Sequence, residues 1–411
     1  MINSLRSGVS GLRTHQTRMD VIGNNIANVN TVGFKRSRVT FREVLGQLKL
    51  GVARIAGGKG VNPSYVGRGV SVGAIDQDWS QGSFEGTGLA TDLALSGDGF
   101  FLVRGNDQTV LSRDGSFLFN GEGNLVNSTN HKVQGFAIGD DGAVDMSTLR
   151  DITIDFVTQA PTEPKFTENV MLSGNLSADA AEGETISVST AVYDEQGRTH
   201  NAVIKFTKTA NGNEWDVEVT YAGNATPPPF ADVTSTATFD VDGSLMSPGA
   251  IDLTWDTSYV ASGTTLSLDI SELTQFSGST TASVGDQDGY SAGNFLGYTI
   301  DAAGIVSLNF SNGEQKPTFQ LALGNVHNPN GLLQLGENLY GVSASSGDLV
   351  TGRPGSEFSQ TSVVAGALEM SNVDLGTEFT DMIVTQRGYQ ASARVITTSD
   401  ELLQEIVQLK R

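Results

Sequence analysis

Apolar residues near the start of the chain, Ile2, Leu5, Val9, Leu12, Met19 and Ile26, recur on alternating steps of three and four positions, interrupted by Gln16 and Gly23. Near the other end Leu375, Phe379, Met382, Tyr389, Ala393, Ile396, Leu403 and Val407 repeat the rhythm, with Gln386 and Asp400 on the same line. An apolar repeat of about 3.5 residues draws a narrow stripe that is best buried against another helix. The pattern therefore predicts two amphipathic helices, one over about Asn3–Asn28 and one from just after Asp374 to Leu409, paired through these stripes. Asn372 or Asp374 suits the cap of the second helix, and Glu378 adds first-turn negative charge. So narrow a stripe does not hold a helix alone, and both helices need partners.

From Val70 the pattern changes to short apolar runs separated by turn dipeptides. Asp-Gly stands at 98–99, 114–115, 141–142, 242–243 and 288–289, and Asn-Gly at 120–121, 211–212, 312–313 and 330–331. Both favour the two-residue type I′ hairpin turn, which needs positive φ at its two central residues. Strands are expected at Leu93–Leu95, Phe100–Val103, Ile186–Tyr193, Ala202–Thr207, Trp215–Tyr221, Thr265–Ile270, Ile305–Phe310 and Phe319–Leu323. Pro161 and Pro164, and the polar run 277–289, mark crossings between domains.

The predicted fold is mixed. Residues 1–32 and 366–411 form a terminal α-helical coiled coil, 33–70 a connector, 71–145 with 289–365 a mainly antiparallel β domain, and 146–288 a second β domain inserted into it. Glycine numbers 49 in 411 residues and charged residues make up 17%, a mix that favours turn-rich β-structure over a helical enzyme core.

Charge is unevenly spread. Residues 1–60 hold ten Lys or Arg against Asp20 and Glu43, a balance of +8, which leaves −29 for the rest of a chain of net charge −21. A basic first helix facing a C-terminal stretch of −3 is complementary, and the acidic bulk disfavours nucleic acid. No apolar run is long enough to insert in a membrane, and the first residues lack the apolar core of a cleaved secretory signal.

Chemical motifs are thin. His15, His131, His200 and His327 stand far apart, cysteine is absent, and no metal or cofactor is expected. Gly67-Arg-Gly69 and Gly58-Lys59 fall short of the dinucleotide and phosphate-loop patterns. Asp240-Val-Asp242-Gly243 and Asp286-Gln-Asp288-Gly289 begin like calcium loops but lack the later ligands, so turn chemistry explains them. A catalytic or glycan-binding reading has no anchoring residue.

The segment Gly23-Asn-Asn-Ile-Ala-Asn-Val-Asn-Thr-Val-Gly-Phe-Lys-Arg36 resembles the N-terminal signature of the bacterial flagellar rod and hook proteins. Gly366-Ala-Leu-Glu-Met-Ser-Asn-Val-Asp-Leu375, continuing into Met382-Ile-Val-Thr-Gln-Arg-Gly-Tyr-Gln390, resembles that family's C-terminal hallmark. Asp92–Phe101 and Asn328–Leu332 are similar to internal family segments. The large middle region matches the hook branch; the long connector at 42–70 is shared with distal rod subunits, the alternative reading. The resemblance implies a structural, non-enzymatic subunit that polymerises with itself into a curved hollow universal joint carrying torque from rod to filament. It implies rod proteins, the hook cap, hook–filament junction proteins and the flagellar type III export apparatus as partners, and an extracellular location reached without a cleaved signal. The implied assembly interface comprises Ile2, Leu5, Val9, Leu12, Met19, Asn24, Asn25, Ile26, Asn28, Leu375, Phe379, Met382, Tyr389, Ile396, Leu403 and Val407.

Overall fold

Strict alternation of inward apolar and outward polar side chains builds most of the molecule. Along Thr199–Lys208 every second residue is buried, including Ala202, Ile204 and Phe206, the pattern of a strand with one face on a core. The computed structural model describes residues 2–50, 64–105, 108–139, 141–155, 161–261 and 264–409. The part of the connector between these stretches, with the Gly57–Gly60 run, lies outside the described residues.

The chain divides into two compact units, one of Met1–Val157, Tyr298–Ser307 and Pro317–Arg411, the other of Thr158–Gly297 and Leu308–Lys316. In the second unit five antiparallel strands (Thr185–Tyr193, Thr199–Lys208, Glu214–Tyr221, Val233–Phe239 and Leu245–Ser247) face a four-stranded sheet. In that smaller sheet Asn169–Asn175 runs parallel to Thr265–Thr274 and antiparallel to Ser283–Gln287. Phe206, Trp215, Val217, Leu268, Ile270 and Trp255 fill the space between the sheets.

The first unit holds the long helices and a larger sheet. Phe100–Gly105 pairs with Gln108–Ser112, Lys132–Ile138 and Leu323–Asn325, and Phe100, Leu102, Leu111, Phe136 and Tyr340 cluster on it. Two further pairings join the outgoing to the returning leg of the chain: Leu93–Ser96 with Ser362–Ala365, and Phe84–Gly86 with Ala367–Glu369. Ser37–Glu43 pairs with Val70–Gln77. Seven of the eight expected strands are single strands, most of them longer than expected, and the eighth, Phe319–Leu323, is broken at Ala322 between Gln315–Leu321 and Leu323–Asn325.

The turns differ from expectation. Gly142, Gly243 and Gly313 carry positive φ, but the Asp or Asn before each does not. In Asp240–Ser244 the Gly243 N–H donates to the Asp240 carbonyl, and the Asp240 N–H to that of Ser244. This is a wider turn that needs one left-handed residue, not two, and glycine alone supplies it. The two-residue turn with both φ positive falls at Glu337 and Asn338, where no glycine signalled it. Of the two acidic motifs, one forms a turn, the Asp242 carboxylate accepting from the Ser244 amide; in the other Asp288 instead ties distant chain, accepting from the amides of Glu168 and Asn169.

Candidate functional site

Helix α1 (Ile2–Ala27) and helix α2 (Leu375–Leu409) lie antiparallel against each other. Ser4 meets Ser399 at 3.3 Å, Arg18 pairs with Asp381 at 3.1 Å, and the Asn25 amide donates to Glu378 at 3.2 Å. A Cβ built on Gly8 would stand 2.9 Å from Ile396 Cγ1, and one on Gly11 2.8 Å from Ser392 Oγ. One on Gly388 would strike the His15 ring. The helices approach closely because these positions lack bulk.

The seam in α1 therefore runs through Ser4, Gly8, Gly11, His15, Arg18, Ile22 and Asn25. Each lies one residue before the expected stripe of Leu5, Val9, Leu12, Met19 and Ile26. One residue is about 100° around a helix, so those apolar side chains flank the contact instead of making it. In α2 the seam keeps half of the expected line. Met382, Tyr389, Ile396 and Leu403 are half-buried, whereas Glu378, Thr385, Ser392 and Ser399 replace Phe379, Gln386, Ala393 and Asp400 as the alternate positions. Leu375, Phe379 and Val407 are exposed, the last at 68%, and so is Val9. Leu5, Leu12, Met19 and Ile26 are half-buried. The side chain of Ile2 lies outside the described residues. The expected pairing of the two apolar stripes is thus corrected: small and polar residues make the seam, since they allow closer backbone approach than leucine-sized ones.

Just beyond α1, the chain ends are tied by hydrogen bonds. Asn25 is 1% exposed, accepts from the Ser37 amide at 2.9 Å and donates to the Ser37 carbonyl at 2.8 Å. Asn28 closes the helix end, donating to the Asn24 carbonyl and accepting from the Thr31 hydroxyl, while Asn24 is itself exposed. Asp374 caps α2 by accepting from the Gly376 and Thr377 amides, so Asn372 is free for another task. It accepts from the Arg36 amide at 2.8 Å and donates to the Asp78 carbonyl.

The deepest contact is one the sequence pattern does not signal. Lys35, 1% exposed, donates to Glu369 Oε1 at 2.6 Å and to the Ser80 carbonyl at 2.8 Å. Glu369 Oε2 accepts from Arg113 at 3.3 Å, and Oε1 also from the Gly82 amide. Burial pushes both cations below their ordinary pKa values, and Glu369 pulls the other way. Gly33, at φ +67°, brings the backbone against that of Arg113, within 2.8 Å of where a Cβ would sit. The two terminal motifs are thus stitched together through a buried carboxylate. A signal for the seam did exist: Thr385, Ser392 and Ser399 repeat every seventh residue.

Among the described residues no cluster of three or more metal-ligating side chains occurs. Four family descriptions match the chain: "Flagella basal body rod protein" over residues 5–35, and "Flagellar hook protein FlgE/F/G D1 domain" over 94–167. The others are "Flagellar basal body protein FlaE D2 domain" over 172–290 and "Flagellar basal body rod FlgEFG protein C-terminal" over 364–409. The chain is similar to the flagellar hook protein FlgE of Borreliella burgdorferi, at 36% identity over 100% of both chains. It is 35% identical to that of Salmonella typhimurium, over 99% of this chain and 100% of the other. The crystal structure of Helicobacter pylori flagellar hook protein FlgE2 has a similar fold, with a TM-score of 0.55 at 14% identity, covering 70% of this chain and 100% of that one. Matched from end to end, with both terminal motifs meeting at one junction, the chain belongs to the flagellar hook protein FlgE family.

Proposed function

We propose that this hook subunit polymerises through α1 and α2, which extend as a coiled coil along the inner wall of a curved hollow tube with the β domains outside. The observation that carries this is the exposure of large apolar side chains on the long helices: Val9, Phe379, Ile383, Val384, Leu402 and Ile406 stand open to solvent. Exposed apolar faces of this size are covered by partners in working assemblies. The interface comprises the flanking residues Leu5, Val9, Leu12, Met19, Ile26, Leu375, Phe379 and Val407, with Ile2 at the start of the stripe. Asn24, Asn25 and Asn28 hold the end of α1 in place, and Met382, Tyr389, Ile396 and Leu403 serve both the seam and its rim.

In this reading residues 146–288 are a β domain inserted into another made of 71–145 and 289–365, and modest polar contacts let the β domains slide as the tube bends. The subunit is no enzyme. It meets rod proteins below, the hook cap during growth and junction proteins above, and leaves the cell through the flagellar export apparatus. None of the described helices is long and apolar enough to cross a membrane. Deleting residues 372–411 should abolish tubes seen by electron microscopy while the β units keep their circular dichroism; tubes of unchanged length and curvature would defeat the proposal.

A further inference from the structure

Between α1 and the edge of the strand Val70–Gln77 lies an open groove of about 560 Å³, lined by Leu5, Val9, Val70 and Val72 with Arg6 and Arg13 on its rim. No acidic residue lines it. Among the described residues neither Arg6 nor Arg13 has an ion-pair partner. Gly69 holds this wall close to α1: its Cβ position would collide with Ser10, and the Ser10 hydroxyl accepts from the Val70 amide at 3.2 Å.

The far end of α2 has the opposite character. Ser4 stands opposite Ser399, so the antiparallel register carries the last turns of α2 past the first residues of α1, by about 10 Å at 1.5 Å per residue. That overhang bears Leu402 and Ile406, each about half exposed. They lie four residues apart and so form one ridge. Glu401 and Glu405 each precede a ridge residue, which puts both carboxylates on a single flank. Among the described residues neither has an ion-pair partner.

We infer that the Leu402–Ile406 ridge of one copy seats in the Leu5–Val9–Val70–Val72 groove of another, with Glu401 and Glu405 against Arg6 and Arg13. The apolar ridge in an apolar groove supplies the binding, as amphipathic helices do in grooves generally. The charge match sets direction and excludes the groove's self-association, because two arginine rims repel. Within one chain the same helix end cannot reach the groove, since α2 runs along the seam face of α1 and leaves it beyond Ser4. The contact is head-to-tail, the heterologous form that builds open helical polymers when its rotation does not close into a ring. This rests on the self-assembly proposed above and names the surfaces that would carry it.

The chain holds no cysteine, so single cysteines report the contact in the full-length protein. A mixture of a Val9→Cys copy and an Ile406→Cys copy should form a disulfide-linked dimer about tenfold more than either variant alone under mild oxidation, because docking raises the effective thiol concentration. Arg6→Glu with Arg13→Glu in the first copy should abolish that excess, and Glu401→Arg with Glu405→Arg in the second should restore it. Equal yields in the mixture and in the separate variants, or indifference to both charge reversals, overturn the docking. Electron microscopy of the unmodified chain separates the two ideas: tubes without the Val9–Ile406 link sink the groove and leave self-assembly standing, and a link without tubes does the reverse.

Discussion

A continuous set of buried apolar residues from Val170 to Leu273 closes the space between the two sheets of the second unit. In α1 and α2 together, Ile22 is the one fully buried apolar side chain among the described residues. The sandwich is finished by its own chain: Trp215 and Phe206 have no exposed surface, and polar residues stand on the outer positions of the same strands. The helix pair inverts that scheme, placing Gly8, Gly11, Ser392 and Ser399 inside and Phe379, Ile383 and Val384 outside. Fully burying a leucine- or phenylalanine-sized side chain contributes roughly 1.5–3 kcal/mol. The helices therefore forgo within one chain the stabilisation that the sandwich collects, and the proposed assembly would supply it between chains.

That contrast sets the scale of mutational effects. Trp215→Ala removes a fully buried indole from the sandwich core and should cost about 3–5 kcal/mol, read as a lower urea midpoint for the second unit. A change below about 1 kcal/mol would mean that this core tolerates a void and that the contrast is false. Glu369→Gln should cost a similar amount, about 3–5 kcal/mol, because Lys35 and Arg113 then share a buried site without their counter-charge. The loss should appear as faster hydrogen exchange in Ala367–Glu369 and in the 33–37 segment together. Exchange confined to one of the two would show that the carboxylate does not join the chain ends.

Gly8→Val belongs to the helices. Its side chain would press on Ile396 and the Ser392 carbonyl, and overpacking of this kind costs about 1–3 kcal/mol. The sharp outcome is its location: amide protection in α1 should fall while the β strands keep theirs. Loss of sandwich stability in this variant would contradict the separation between the two regions. The proposed assembly adds that α1 of the isolated subunit is weakly protected even without the change.

Much of this architecture was legible in the residues, and the misses have physical causes. Apolar periodicity placed both helices to within a residue or two of Ile2–Ala27 and Leu375–Leu409, and short apolar runs between turn signals located several of the strands. The same periodicity misassigned the seam, because it assumes that the apolar stripe meets the nearest partner. In a subunit whose partners are other copies, the stripe can be reserved for them, and the intramolecular contact falls to glycine and serine. Close approach by small residues carries little hydropathy signal, although the seven-residue repeat of Thr385, Ser392 and Ser399 was there to read. The Lys35–Glu369–Arg113 cluster was hidden for another reason. Its members are distant in sequence, and a charged residue ordinarily reads as exposed.

The smallest effect concerns pH, and it singles out the helix pair. His15 sits against Gly388 and edge-on to Phe41, 5.5 Å between ring centres, and burial, helped by the nearby Arg18 guanidinium, holds its pKa below the ordinary 6.5. Such a histidine is neutral in the paired helices and takes up its proton more readily once they separate. Pairing is therefore fully favoured above pH 6.5 and weakens as the pH falls from 6.5 toward the depressed folded value. Protection of α1 amides should decline between pH 6.5 and pH 5, after correction for intrinsic exchange, and His15→Gln should flatten that decline. The sandwich buries a histidine too, His200, whose Nε2 lies 3.1 Å from an Asp194 carboxylate oxygen. Parallel loss of protection in both regions would place the titrating group elsewhere.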